Sequence, residues 1–344
     1  MTIKEIAKLA NVSPATVSNV VNNRTNKVSE EVRNRILKII KEVDYVPNSI
    51  AKSLRKNKTN TIGVFAEDIK EFSTPGIITG INKYAEKAGL NILLSDLSIV
   101  EKTGANIEKV KEYRKEINEA LNILQSAKVD GIIYIAWQDR DIGDLVSNID
   151  IPLVYSFCYS QSHDRSWVSY DNLSIMAKIM EDIIALNHNK IALAWGGENC
   201  RPAEQRFMVY KSILSKYGIK YRKEYTRNGD WSFADGKKFY RYFVSLPDPP
   251  TAIVFMNDEM AAGAIYESMS TDKKVLDEIS IVGFNNMDYT QFIYPRITTA
   301  KIPLEDIGYK SAELLVDTLN NNIDSKQIIL PCELIRGNSL RPRI

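Results

Sequence analysis

Thr2-Ile3-Lys4-Glu5-Ile6-Ala7-Lys8-Leu9-Ala10-Asn11-Val12-Ser13-Pro14-Ala15-Thr16-Val17-Ser18-Asn19-Val20-Val21 reads as two short helices joined by a tight turn. Thr2 and Glu5 have the spacing of a capping box, in which hydroxyl and carboxylate reciprocally satisfy backbone donors at a helix start. Ile3, Ile6, Ala7 and Ala10 then recur at helical spacing. Ser13 is a natural N-cap, and Pro14 occupies the first helical position, where a missing N–H costs nothing. Val17, Val20 and Val21 form the apolar stripe of the second helix. A third begins at Ser29, with Glu30 and Glu31 in its positive-dipole first turn and Val32, Ile36, Ile39, Ile40 and Val43 facing inward. Pro47 is expected to stop it.

Charge separates a small helical bundle from a nucleic-acid reader. The whole chain of 344 residues carries a formal +2, but residues 1–60 hold 12 Lys and Arg against 5 Asp and Glu, leaving an acidic remainder. A small basic end on a large acidic body points to a polyanion partner for that end. A helix-turn-helix follows, with the second helix in the DNA major groove and Ser13, Pro14, Ala15, Thr16, Ser18 and Asn19 off its apolar face, where they should meet DNA.

Composition also bounds the rest. No run approaches eighteen uninterrupted apolar residues, and the first twenty lack an apolar block followed by a small-residue cleavage site. The expectation is a cytoplasmic protein without a membrane partner. Cys158, Cys200 and Cys332 are odd in number and widely spaced, which suits buried free thiols rather than a zinc site. With only His163 and His188 present, neither a metal nor a histidine-dependent catalytic cluster is expected. His163 reads as a loop residue, and His188 as one near a helix C-terminus.

From Thr59 onward the pattern alternates. Ile62 to Ala66, Ile92 to Leu94, Ile132 to Ile135, Leu153 to Tyr155, Ile191 to Ala194, Ala252 to Phe255 and Ile281 to Phe284 are short apolar runs separated by helix-length amphipathic segments. That means βαβ units and parallel sheets, in a stretch long enough for two subdomains. Ser98 to Leu121 reads as an elongated solvated helix. There is no G-x-G-x-x-G after the opening strand, no Walker A, no G-x-S-x-G and no H-E-x-x-H. The body therefore reads as a binding fold rather than an enzyme, with ligands at the loops beyond the strands' carboxyl ends.

Several loop residues suit such a site, each with a plainer alternative. Trp231 can stack on the apolar face of a sugar ring or simply anchor a loop. Arg206 alone could be solvated or salt-bridged. Asn257 stands at a strand end, while Asp258 serves equally well as an N-cap.

Ile3 to Ala10, Val12 to Ser18, Val28-Ser29-Glu30-Glu31 and Tyr45-Val46-Pro47-Asn48 resemble the DNA-binding headpiece of the lactose/galactose repressor (LacI/GalR) family. Thr61-Ile62-Gly63-Val64, Val129 to Ile133, Asp171-Asn172, Leu186 to Ala192, Asn257-Asp258, Ile281 to Phe284 and Leu330-Pro331 are similar to landmarks of that family's periplasmic-binding-protein-like core, so the likeness covers almost the whole chain. The fold it implies is α/β: a small all-α headpiece (1–46), a hinge helix and linker (47–60), and a core of two interleaved parallel-sheet subdomains (61–344).

The resemblance implies DNA contacts from Thr2, Ser13, Pro14, Ala15, Thr16, Ser18, Asn19, Asn22, Ser29, Tyr45, Asn48, Ala51 and Leu54. Asn48 to Lys58 could pass for a basic linker, but by resemblance it is a hinge helix that folds on the operator and wedges Leu54 into the minor groove. Asn19 stands where family members very often carry Arg; Asn suits adenine where Arg reads guanine, so an altered operator base is expected. In the core, Phe72, Ser73, Trp137, Arg206, Trp231, Asn257 and Asn285 are the implied effector-site residues. Asn285-Asn286 replaces an acidic residue common in the family, so an acceptor for hydroxyl protons must come from an amide or from elsewhere.

The expectation is a homodimeric regulator of double-stranded, pseudo-palindromic operator DNA, a repressor of carbohydrate-utilisation genes controlled by a small sugar, with no cofactor. A nucleobase, another metabolite or a phosphocarrier protein is the alternative effector, and a cytoplasmic α/β enzyme the remote rival. No heptad segment follows Leu330 to Leu334, so a tetramer built on a terminal coiled coil is not expected.

Overall fold

The computed structural model describes residues 1–22, 24, 28–45, 58–104, 106–147, 149–162, 164–197, 200–271, 279–321 and 325–343. It divides into two units, Met1–Thr59 and Asn60–Ile344.

In the first unit, helices α1 (Ile3–Leu9), α2 (Pro14–Val21) and α3 (Glu30–Glu42) enclose a small core of Ile6, Ala7, Ala10, Val17, Val20 and Ile36. The capping box is formed: Thr2 N donates to Glu5 Oε2 at 2.7 Å and Glu5 N to Thr2 Oγ1 at 3.3 Å. Asn11 adopts φ 49° just past α1, letting the Val12 amide bond back to the Ala7 carbonyl. This left-handed residue makes the turn tight enough for Ser13 to cap α2 at once, accepting from Thr16 N at 3.1 Å. Helix α3 ends at Glu42, before the expected stop at Pro47. Asp44 turns left-handed (φ 44°), and the Tyr45 amide reaches back to the Ile40 carbonyl. Pro47, and the hinge residues Asn48, Ala51 and Leu54, lie outside the described residues, as does His163.

The second unit holds two six-stranded sheets. The first has the order β2 (Asn91–Asp96), β1 (Thr61–Ala66), β3 (Gly131–Ile135), β4 (Leu153–Ser156), β5 (Ser166–Tyr170), β11 (Gln327–Leu330), and all its pairings are parallel. The second runs β7 (Thr226–Gly229), β6 (Ile191–Gly196), β8 (Ala252–Phe255), β9 (Ser280–Asn285), β10 (Thr298–Lys301), β12 (Glu333–Ile335), with only β12 antiparallel. Central strands such as β3 and β8 are buried along their whole length, as a parallel sheet covered on both faces requires.

The chain passes between the sheets three times: after β5 into helix α7 (Asn172–Ala185), after β10 into helix α11 (Leu304–Asn321), and from β11 to β12. Helix α11 returns to the first subdomain and packs on α4 (Ser73–Ala88). A Cβ on Gly80 would strike the Glu305 carbonyl, and one on Gly308 the Ile77 carbonyl, so the two helices approach backbone to backbone. Ser98 to Leu121 is not one solvated helix. Gly104 at φ 62° ends α5 (Ile99–Thr103), a 3-10 segment spans Ile107–Tyr113, and α6 (Arg114–Ser126) follows, with Ile99, Val110, Ile117 and Leu121 buried in the outer layer.

Candidate functional site

Two surfaces need placing. On the headpiece, Ser13, Pro14 and Ala15 are exposed at the start of α2 and Thr16, Ser18 and Asn19 are partly so, while Val17 and Val20 face inward. Ser13 and Thr16 share a hydroxyl–hydroxyl hydrogen bond of 2.9 Å. Asn22 Nδ2 is turned back to the Ser18 carbonyl at 2.7 Å, so that amide is already engaged within its own helix. Thr2 and Ser29 are exposed, the latter at an N-cap position without a side-chain cap bond, and Tyr45 packs on the headpiece core.

In the core, a cavity of about 140 Å³ opens where the carboxyl ends of both sheets meet. Phe72 reaches it from the loop after β1, Trp137, Gln138 and Asp139 from the loop after β3, Phe157 from the end of β4 and Tyr170 from β5. The second subdomain contributes Cys200, Pro202 and Arg206 from the start of α8 (Arg201–Lys216), Trp231 from between β7 and α9 (Phe233–Val244), Met256 and Asn257 from beyond β8, Asn285 from the end of β9, and Ile302 from the crossover after β10. Six of the seven residues expected here therefore line one cavity. Ser73 does not: it is the first residue of α4, wholly buried, with its Oγ unpartnered.

Arg206 organises the centre. It is 4 % exposed, and its guanidinium lies 3.4 Å from the Phe284 ring centroid. Nε donates to Asn172 Oδ1 at 2.7 Å, Nη1 to the Met256 carbonyl at 2.8 Å and Nη2 to the Tyr170 hydroxyl at 3.2 Å. All three acceptors are neutral; they lie on the first crossover, at the end of β8 and at the end of β5. Among the described residues three of its five N–H donors are thus used. The residue is buried rather than solvated, and among the described residues it forms no ion pair.

Trp231 is held at φ 72°, a costly conformation for a bulky residue. A Cβ on Gly196 would sit 2.5 Å from Trp231 Cδ2 and 2.6 Å from its backbone N, so the Gly196-Gly197 turn makes room for the indole. Asn257 Nδ2 donates to the Trp231 carbonyl at 2.8 Å, and its Oδ1 accepts from Met260 N at 2.9 Å, capping helix α10 (Asp258–Thr271). Asp258, the other candidate cap, is instead buried, accepting from Thr299 Oγ1 at 2.6 Å and Met287 N at 2.8 Å. Burial pushes its carboxyl up to about 7 against those bonds. Asn285 and Asn286 both have positive φ where β9 leaves the sheet.

The loop after β3 rests on a buried ion pair. Glu67, beyond β1 and fully buried, meets Arg140 Nη2 at 2.6 Å. Glu67 also accepts from the Tyr134 hydroxyl at 2.6 Å and from Trp137 N at 3.1 Å. Among the lining residues, sequence reasoning missed Gln138, Asp139, Phe157, Tyr170, Cys200, Pro202, Met256 and Ile302. Met256 immediately follows a recognised apolar run and Phe157 stands two residues past one, so strand-end position alone marks them. His188 is a core residue, between Thr251 Oγ1 at 3.0 Å and the Arg341 carbonyl at 2.8 Å, and burial lowers its pKa. Cys158 and Cys200 are buried free thiols and Cys332 is half-buried.

A small helical DNA-reading unit followed by two parallel-sheet subdomains around a cleft defines a ligand-responsive DNA-binding regulator. Residues 2–48 match the family of bacterial regulatory proteins of the lacI type, and residues 180–340 match the periplasmic binding protein-like domain. The NTD biosynthesis operon regulator NtdR of Bacillus subtilis is 30% identical, with 97% of this chain and 98% of that protein covered. The transcriptional repressor CytR of Escherichia coli is 28% identical over 99% and 96% of the two chains. Among solved structures, the Lac repressor dimer bound to operator and the anti-inducer ONPF superposes with a TM-score of 0.82 at 22% identity, covering 99% of both chains. The chain belongs to the LacI family of transcription regulators, with a DNA-binding helix-turn-helix; its relatives are regulators, not enzymes, and so is this protein.

Proposed function

We propose that this protein is a cytoplasmic homodimeric repressor of carbohydrate-utilisation genes whose grip on a pseudo-palindromic operator is set by a small sugar held between the core subdomains. The observation that carries this reading is the position of Arg206. One buried guanidinium ties the end of β5, the first crossover and the end of β8 together and lines the cavity. A planar fork of donors suits adjacent hydroxyls, and the aromatic walls Phe72, Trp137 and Trp231 suit the apolar face of a ring. The small cavity, about 140 Å³, favours one ring over two.

A guest contacting Arg206 acts directly on residues that join the subdomains. Only a difference in its affinity for two subdomain arrangements can change the DNA-bound population. On the headpiece, Pro14, Ala15, Thr16 and Asn19 read bases while Ser13 and Ser18 touch phosphates. Leu54 is the minor-groove wedge. The Lac repressor, solved as a dimer on its operator, supports the dimeric assignment.

Isothermal titration of the full chain with a panel of monosaccharides, nucleobases and nucleosides tests the effector class. A monosaccharide that binds wild type, binds Trp231→Ala at least tenfold more weakly and alters operator retention is the expected result. Binding confined to nucleobases or nucleosides replaces the sugar by that class.

A further inference from the structure

We propose that Asp139 is the specificity-determining acceptor of the effector site: its carboxylate takes the protons of adjacent hydroxyls on a neutral polyol whose other side is held by Arg206. The proposal rests on the sugar reading above and adds a residue which that reading does not use. Asp139 is 6 % exposed and lines the cavity. Its Oδ1 accepts from the Ser169 hydroxyl at 3.0 Å, and among the described residues Oδ2 has no hydrogen-bond partner. Asp139 lines the cavity and its second carboxylate oxygen keeps some exposure, so a guest held there can supply the donor that oxygen lacks.

Its surroundings decide which donor. Burial raises the Asp139 pKa above the usual carboxylate value, and the Ser169 hydrogen bond together with the charges of Arg201, Arg206 and Arg140 pulls the other way, toward the charged form. An ammonium group at Asp139 would meet Arg206 in the same cavity and the positive fields of Arg201 and Arg140, which already act on that carboxyl. A hydroxyl needs no counter-charge and gives Oδ2 its donor. An anionic guest would gain at Arg206 and lose at Asp139 in the same small space.

Geometry supports the assignment independently. The Glu67–Arg140 pair and the Trp137 N to Glu67 bond hold the loop after β3 rigidly. That loop also brings the Trp137 ring to the cavity. Arg206 and Asp139 thus line one cavity from the two subdomains, so a polyol meeting both bridges the cleft. This supplies, from the first subdomain, a carboxyl acceptor for hydroxyl protons where Asn285 offers only a neutral amide.

The test is deoxy-scanning of the active monosaccharide by isothermal titration against full-length wild type and Asp139→Asn. Wild type should lose about tenfold to a hundredfold in affinity for the one or two deoxy analogues lacking the hydroxyls that face Asp139. Asp139→Asn should bind the parent sugar that much more weakly and no longer distinguish it from those analogues. Equal discrimination by both proteins for every analogue overturns the proposal and leaves the sugar reading standing. Preference for an amino-substituted sugar that disappears in Asp139→Asn overturns the assignment of a neutral guest. Absence of any sugar binding by wild type overturns both.

Discussion

Glu67→Gln isolates the buried ion pair beneath the cleft. The substitution keeps an acceptor for the Tyr134 hydroxyl but leaves the Arg140 guanidinium without its carboxylate, its side chain only 12% exposed. Removing one partner of a buried pair costs about 3 to 5 kcal/mol, because the remaining charge stays desolvated. Arg140 keeps some solvent and the Gln138 carbonyl at 3.3 Å, which favours the lower end, about 3 kcal/mol. At about 2 °C per kcal/mol for a large domain, the core should melt about 6 °C lower. Removing both charges in Glu67→Gln/Arg140→Met should recover more than half of that loss, since no buried charge is then orphaned. Thermal unfolding at neutral pH by circular dichroism reads all three proteins. A Glu67→Gln core melting within about 1 °C of wild type, or a double variant less stable than the single, would refute the reasoning.

Three further outcomes follow from other parts of the molecule. Asn19→Arg should change the operator selected from a random duplex pool at one base pair per half-site, from adenine to guanine, at about 1 to 3 kcal/mol of discrimination; an unchanged selected sequence contradicts base reading by Asn19. Gly196→Ala should displace Trp231, lowering core stability by about 1 to 3 kcal/mol and changing tryptophan emission, whereas unchanged emission and effector affinity would show the indole is placed by other contacts. Burial pushes both Asp258 and Glu71 up to about 7, so the folded state holds more protons there than the unfolded chain. Their stabilising contribution is full below the ordinary carboxylate range and is lost as pH rises through about 7. His188, with its lowered pKa, acts in the opposite sense as pH falls. The comparison is therefore wild type against Asp258→Asn in denaturant unfolding from pH 5 to 8: the variant should lose part of the decline with rising pH, and parallel curves would contradict it.

The elements legible in the sequence were those with one dominant local cause. Thr2/Glu5, Ser13-Pro14 and the valine stripe of α2 each carry their own capping or periodicity signal, and the structure forms all of them. Six of the seven apolar runs became strands in or beside a sheet centre; the seventh, Ile92 to Leu94, lies in the edge strand β2, where Leu93 and Leu94 stay exposed. Strands β5, β7, β10, β11 and β12 carry no such run: Ser-Trp-Val-Ser-Tyr, Thr-Arg-Asn-Gly and Thr-Thr-Ala-Lys are rich in polar residues, β11 and β12 are short edge strands, and the burial or edge position of all five is set by tertiary pairing. Ser166 and Ser169 are buried because Lys326 N and Asp139 give them partners far along the chain. The cleft was legible where an unusual residue stood at a strand end, as with Trp231 and Arg206. Asp139 was not, because a charged residue in a polar loop looks solvated until the fold closes over it.

The measurement that bears most directly on the account is operator binding by the full chain as a function of sugar and salt, followed by fluorescence anisotropy on a duplex selected for tight binding. The account predicts a pseudo-palindromic site, affinity that falls steeply with salt as phosphate contacts release counterions, and a shift in affinity on adding a monosaccharide that is lost in Arg206→Met. Enrichment of no sequence over random duplex, or an operator affinity indifferent to every sugar that the core binds, would contradict it.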